Sequence, residues 1–240
     1  MGKIAEGIID KLSIIGFFNV IISGGVFLYG ISPILDRYAP GLFYTKLGLE
    51  KDLEKALVAC LLCYIFGSVL KCLQLLFFGG MKTSVVNRCM NGMRKAKNGM
   101  QEYIISSNKY QRKDIFELAS KLFEDRNLGK FNPKDKEMCQ YFFEYCKLSN
   151  SINGFGNRAF QLSESAAFYQ QVAIAFFSLV LIGILLSVFT NNNALPYCIG
   201  YLALGVVFLS RAYHCLINWA GTVLATYEVL ADNGAEKKKQ

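Results

Sequence analysis

Four apolar runs, Leu12–Ile31, Ala56–Phe78, Phe168–Thr190 and Tyr197–Trp219, stand two on each side of a polar block of 87 residues, Met81–Ala167. A helix rises 1.5 Å per residue, so each run is about long enough to cross a ~30 Å hydrocarbon layer. The expected fold is therefore all-α: a polytopic membrane protein with four transmembrane helices and a helical cytosolic insert between the second and third. Three regions follow from the pattern. Residues 1–80 form a first hairpin, with spans at about 12–31 and 56–78. Residues 81–167 form the insert. Residues 168–240 form a second hairpin, with spans at about 168–190 and 197–219 and a basic cytosolic tail.

Charge agrees with this division. Of the 240 residues 53% are hydrophobic and only 18% charged, against about 45–50% and about a quarter in soluble domains. The insert holds 15 of the 26 Lys and Arg and 9 of the 18 Asp and Glu, a net of +6 within a total of +8. A basic soluble part suits nucleic acid or anionic lipid, but in a membrane protein it also serves as an orientation bias. We read it as orientation and expect no nucleic-acid partner.

Lys3 and Lys11 precede the first run, and Lys82, Arg88, Arg94, Lys95 and Lys97 follow the second. The tail closes on Lys237, Lys238 and Lys239. The 36–55 loop has acids balancing its cations, and Asn191-Asn192-Asn193-Ala194-Leu195-Pro196 carries no charge. The positive-inside rule then puts both termini and the insert in the cytoplasm of an inner-membrane protein. The first run is longer than a signal-peptide core, and Pro33 would follow the best cleavage candidate, so a retained signal-anchor is expected.

Local patterns subdivide the insert. Val86, Cys89, Met93, Ala96, Met100 and Tyr103 recur in heptad fashion, which suggests that the second span continues into the cytosol as one long helix. Gly92 and Gly99 weaken that expectation by about 1 kcal/mol each relative to Ala. Ile115, Leu118, Ala119, Leu122 and Phe123 give a short amphipathic helix stopping near Asn127-Leu128-Gly129. Asn132-Pro133 reads as a helix start with Asn as cap. Its apolar stripe is Met138, Tyr141, Phe142, Tyr145, Leu148 and Ile152, and Asn153-Gly154-Phe155-Gly156 breaks it before a helix from about Arg158. Such stripes also suit packing between subunits, so a homo-oligomer is expected.

Lys71 lies about 15 residues into the second run and Arg211 about 14 into the fourth. Both then sit about 21–23 Å below the outer boundary. Intramembrane cations face a bundle interior or a wet cavity, or else snorkel to the headgroups. His214, Asn218 and Thr222 follow Arg211 on one helix face, and Gln74 follows Lys71. The candidate is a cationic vestibule of Lys71, Gln74, Arg211, His214 and Asn218, with Glu164 as candidate ion-pair partner. The competing reading is that both cations merely snorkel.

Gly183-x-x-x-Ser187 and Gly200-x-x-x-x-Gly205 permit close helix contacts. Trp219 and Tyr197 suit the two interfaces.

Catalysis finds no inventory. His214 is the one histidine, and no Ser-His-Asp, Cys-His or H-E-x-x-H arrangement exists. Cys60-x-x-Cys63 sits in an apolar run without a second pair, so the eight cysteines suggest packing rather than zinc or disulfides. Gly79-Gly80-Met81-Lys82-Thr83 lacks the spacing of a phosphate loop. No cofactor is expected.

The stretch Asn157-Arg158, Glu164-Ser165, Phe168-Tyr169 lies at the mouth of the third run. With the layout of apolar pair, long helical insert and apolar pair, it resembles small multi-pass membrane proteins of bacterial antiphage and CRISPR-associated defence systems. The resemblance implies an effector that perturbs the membrane when a cytosolic signal arrives. It assigns no functional residue.

The expected function is an oligomeric channel or membrane-perturbing effector controlled through the cytosolic helices. Its partners are the bilayer, further copies of itself and a cytosolic protein or signal ligand at the insert. A non-conducting anchor that recruits a cytosolic partner is the alternative. A small-solute transporter is weaker, since no inverted repeat is visible.

Overall fold

The structure, a computed structural model, describes residues 2–38, 52–97, 113–132, 134–190 and 195–237, with side chains over 16–34, 56–89, 116–132, 134–188 and 196–231. Among the described residues there are seven helices and no strand. They are α1 (Gly2–Tyr38), α2 (Asp52–Phe78), α3 (Met81–Lys97), α4 (Lys113–Asp125), α5 (Lys136–Ile152), α6 (Asn157–Thr190) and α7 (Leu195–Lys237). Four contain stretches long and apolar enough to cross a membrane: Gly16–Ile34, Ala56–Phe78, Asn157–Val188 and Pro196–Ala231. They overlap the four apolar runs of the sequence, matching the second to the residue, while the third starts 11 residues before and the fourth ends 12 residues beyond the expected bounds, and they point to a membrane location. The expected turn at Ala39-Pro40-Gly41, the interfacial 42–44 segment, the triple-Asn turn and the heptad positions Met100 and Tyr103 lie outside the described residues.

The described chain divides into two compact units, Met1–Gly79 with Glu164–Tyr213 and Gly80–Ser163 with His214–Gln240. In the first unit α1 packs along α2. A methyl built on Gly24 would collide with the carbonyl oxygen of Cys63, and one on Gly67 with the carbonyl oxygen of Val20. Only glycine at both positions lets the two backbones approach so closely. α6 supplies the centre of this unit. Its Val172, Ala173, Ile174, Ala175, Phe176 and Leu179 are buried, with Phe27 and Leu70 from α1 and α2. Tyr201 and Phe208 of α7 stack on Phe176, and the Tyr201 hydroxyl donates to the Gly30 carbonyl at 2.7 Å. Of the glycine motifs, Gly183 lies against Cys198 and Gly205 against the Phe177 ring, whereas Gly200 faces open space.

Outward, the same helices present Phe17, Ile22, Leu61, Ile65, Val69, Leu76, Leu185 and Val206. Large apolar side chains on the outside, with Ser23, Gln74, Gln170 and Gln171 among the buried ones, fit a lipid surround, where exposure of a leucine carries no penalty.

The second unit is built differently. α2 does not continue into the insert as one helix. It ends at Phe78, the Gly79-Gly80 turn follows, and α3 starts at Met81. Two adjacent glycines lose more backbone entropy on helix formation than the neighbouring residues, so the break falls there. α4 ends as its sequence indicates, with Asn127 at φ 54° and Gly129 at φ 86° taking left-handed conformations.

α5 begins at Lys136 rather than at the Asn-Pro pair. Its N-cap is Asp135, whose carboxylate accepts from the backbone of Glu137 and Met138 at 2.9 and 3.3 Å. Asn132 instead accepts from the Lys134 backbone N–H in the preceding turn.

The buried stripe of α5 is also rotated from the expected one. Cys139, Phe142, Phe143, Cys146 and Asn150 are buried, while Tyr141, Leu148 and Ile152 are exposed. Around this stripe the core is aromatic. Phe131 meets Phe116, Phe123 and Phe142, and Phe142 meets Tyr227 edge-on at 5.9 Å. Trp219 is buried edge-on against Phe143, with the Lys82 ammonium 5.8 Å from its ring centre. It belongs to this core rather than to an interfacial belt.

Candidate functional site

A membrane-embedded bundle excludes polar groups unless they are partnered, so buried polar side chains in the first unit are where function or specificity is written. Four such residues stand out: Ser23 on α1, Gln74 on α2, and Gln170 and Gln171 on α6. Adjacent residues on a helix point about 100° apart, and the two glutamines use that divergence to reach two different helices. Gln74 Nε2 donates to Gln170 Oε1 at 2.8 Å. Ser23 Oγ donates to the Val20 carbonyl at 3.0 Å and, more weakly, towards Gln171 Oε1 at 3.4 Å.

These groups are neutral over all ordinary pH. They hold helices by hydrogen bonds worth about 0.6 kcal/mol each, rising to ~1.7 in good geometry. They do not perform acid–base chemistry.

Of the sequence-derived set, Gln74 is brought into hydrogen-bond contact with another span, through Gln170 of α6. Lys71, one turn before it, is exposed, as are Arg211, His214 and Asn218. Glu164 is half-buried, and among the described residues no ion pair joins it to Lys71 or Arg211. Gln170, Gln171 and Ser23 are absent from the sequence-derived set. Their signal was present in outline, since paired glutamines at the start of an apolar run are expensive unless they face protein.

The second unit has its own buried amide. Asn150 Nδ2 donates to the Val223 carbonyl at 2.7 Å, while Asn150 Oδ1 is buried without a hydrogen-bond partner, as is Asn87 Oδ1. An orphaned buried acceptor costs about 1–3 kcal/mol. Lys82 Nζ donates to Ser163 Oγ at 2.9 Å. Arg126 Nη1 donates to the Tyr141 hydroxyl at 3.2 Å, and its guanidinium lies 4.8 Å from the Tyr145 ring centre.

Burial raises the Cys139 thiol to about 11, with the Asp135 carboxylate adding to the effect, and it raises Cys146 further. Both are protonated and unreactive at neutral pH. Among the described residues, no group of three or more His, Cys, Asp or Glu is placed to hold a metal ion.

No family model, curated protein or solved structure matches this chain.

Proposed function

We propose that this chain is an inner-membrane protein that assembles with copies of itself into a channel or membrane-perturbing effector. Its helical insert and both termini lie in the cytoplasm, and the insert is where a cytosolic protein or signal ligand acts. The observation that carries this reading is the exposure of Lys71 and Arg211 within two apolar spans. Both lie about 21–23 Å along their spans.

A cation facing hydrocarbon costs about 2.5–3.5 kcal/mol near the bilayer centre. Two arrangements remove the cost: snorkelling to the headgroups, or a wet surface shared between subunits. In the second, the vestibule belongs to the assembly rather than to a single chain, and its cations concentrate anions at the mouth.

The test is ion flux through purified protein in liposomes. Wild type is expected to conduct with anion preference, and Lys71→Ala with Arg211→Ala to abolish that preference. Conductance that survives with unaltered selectivity overturns the vestibule.

A second reading is a non-conducting anchor that recruits a cytosolic partner. It is favoured by exposed Leu148, Ile152 and Phe155 in the second unit. One stoichiometric soluble partner and no leakage on overexpression support it.

A further inference from the structure

At the centre of the first unit stands a helix. Every residue of α6 from Gln170 to Phe176 is buried. That stretch makes almost two turns, so its side chains point in all directions and α6 is enclosed on every side. It meets α1 through Phe27, α2 through Leu70 and Gln74, and α7 through Tyr201 and Phe208. A water-filled path along this axis would have to displace α6. The faces left to border a path are the outward ones of α1, α2 and α7.

The two outward faces that carry a cation differ. Lys71 of α2 stands among large exposed side chains, Val69, Leu75 and Leu76. The nearby Ser68 hydroxyl donates to the Tyr64 carbonyl of its own helix at 2.8 Å. Such a surface suits lipid, and a lysine on it snorkels to the headgroups.

Arg211 of α7 stands in line with Gly200, Ala203, Val207 and Ser210, all exposed. Spacings of three and four residues put them on one side of the helix. A methyl built on Gly200 meets nothing within 4 Å. Beside this strip α7 presents large side chains again, Leu202 and Val206. The run Tyr197–Trp219 holds no acid to cancel the arginine. A cation inside a span faces protein or water unless it reaches the headgroups, and the small neighbours of Arg211 leave room for water beside it.

We infer that the α7 strip of Gly200, Ala203, Val207, Ser210 and Arg211 faces water within the assembly and borders the path of anions, whereas the Lys71 face of α2 meets lipid. The inference rests on the channel reading above and separates the two cations that carry it.

The test is modification of introduced cysteines in full chains in liposomes by an anionic, membrane-impermeant methanethiosulfonate. Ala203→Cys, Val207→Cys and Ser210→Cys lie on the strip, and Leu202→Cys, Val206→Cys and Val69→Cys lie off it. Each position is read by peptide mass, which separates it from the native cysteines. All six side chains are exposed, so the fold is retained, which circular dichroism checks. Leu202 and Ala203, like Val206 and Val207, differ in depth by only about 1.5 Å, so depth does not explain a difference between them. The reagent needs a thiolate, and positions on the strip are expected to react at least about tenfold faster than those off it. Arg211→Gln is expected to slow the strip about twofold to fivefold at low salt and not at high salt.

Equal rates on and off the strip overturn the inference, as does a faster Val69→Cys. A strip that reacts selectively in a wild type that passes no ions sinks the channel and leaves the wet face standing. Ion flux with an unreactive strip keeps the channel and removes α7 from its lining.

Discussion

In the first unit the buried polar groups are amides that reach from helix to helix, Gln170 to Gln74 and Gln171 towards Ser23, in a lining of alanine, valine and leucine. In the second the bulkiest buried side chains are rings, Phe123, Phe131, Phe142, Phe143 and Trp219, set among aliphatic ones such as Val85, Leu216 and Val223, and the Glu228 carboxyl group is buried as well. The solvent explains the contrast. Lipid is as apolar as leucine, so burying leucine gains little there, and association of spans depends on close backbone approach and hydrogen bonds. Water drives apolar surface inward at about 25 cal/mol per Å², and large rings supply the most area per residue. The first unit thus adds close glycine contacts and inter-helix amides to an apolar core that also holds Phe27 and Phe176, whereas the second relies on clustered rings.

The largest expected effect that probes this contrast is in the aromatic core. Phe142→Ala removes a fully buried ring and is expected to destabilise the second unit by about 3–5 kcal/mol, measured by denaturant unfolding followed through Trp219 fluorescence. If the cost were below that of a glycine change in the first unit, the division of labour between rings and close backbones would be wrong.

Next comes Gly67→Val. The new side chain must displace the Val20 backbone rather than a flexible tip, and about 1–3 kcal/mol is expected, seen as a lower melting temperature in detergent. Gly200→Val, facing open space, should leave it unchanged and serves as the internal control.

The amide clasp is smaller. A double-mutant cycle of Gln74→Leu and Gln170→Leu is expected to give a coupling of about 0.6–1.7 kcal/mol. A coupling of zero would reduce Gln74 and Gln170 to neighbours that merely touch.

The last effect is silent at neutral pH. With its thiol at about 11 instead of 9.0, Cys139 should hold about 100-fold less thiolate at pH 8 than a free cysteine, and its alkylation should be slower by that factor. The sign follows from linkage. The unfolded thiol ionises first, so the Cys139 contribution is complete below about pH 9 and is lost as pH rises through about 11. Rapid alkylation of folded protein at pH 8 would mean that the second core is open.

Spans and helix ends divide in how far they were legible. The span Ala56–Phe78 was readable to the residue, because 23 predominantly apolar residues, interrupted only by Ser68, Lys71 and Gln74 among polar side chains, admit one environment. The stop after α4 was readable because Asn127 and Gly129 tolerate positive φ. The start of α5 was not, since Asn132 and Asp135 are both competent caps and only the folded chain shows which carboxyl or amide reaches the free N–H groups. The stripe of α5 was misphased for a related reason. The helix carries two apolar faces, and periodicity alone does not say which one faces its own unit. Of the candidate site, Lys71, Arg211, His214 and Asn218 were legible as polar positions, but their exposure was not.

By itself, the sequence determined the approximate apolar lengths, the helical class and the stop after α4, but not the Gly79-Gly80 break. These depend on local composition, on a fixed rise per residue and on the φ range each residue allows. Only the tertiary structure decided that Gln74 faces inward while Lys71 faces out, that Gly24 and Gly67 meet across two helices, and that Leu148 and Ile152 of α5 are exposed. Those facts depend on helix rotation and on neighbours distant in sequence, and a 3.6-residue period leaves both undetermined.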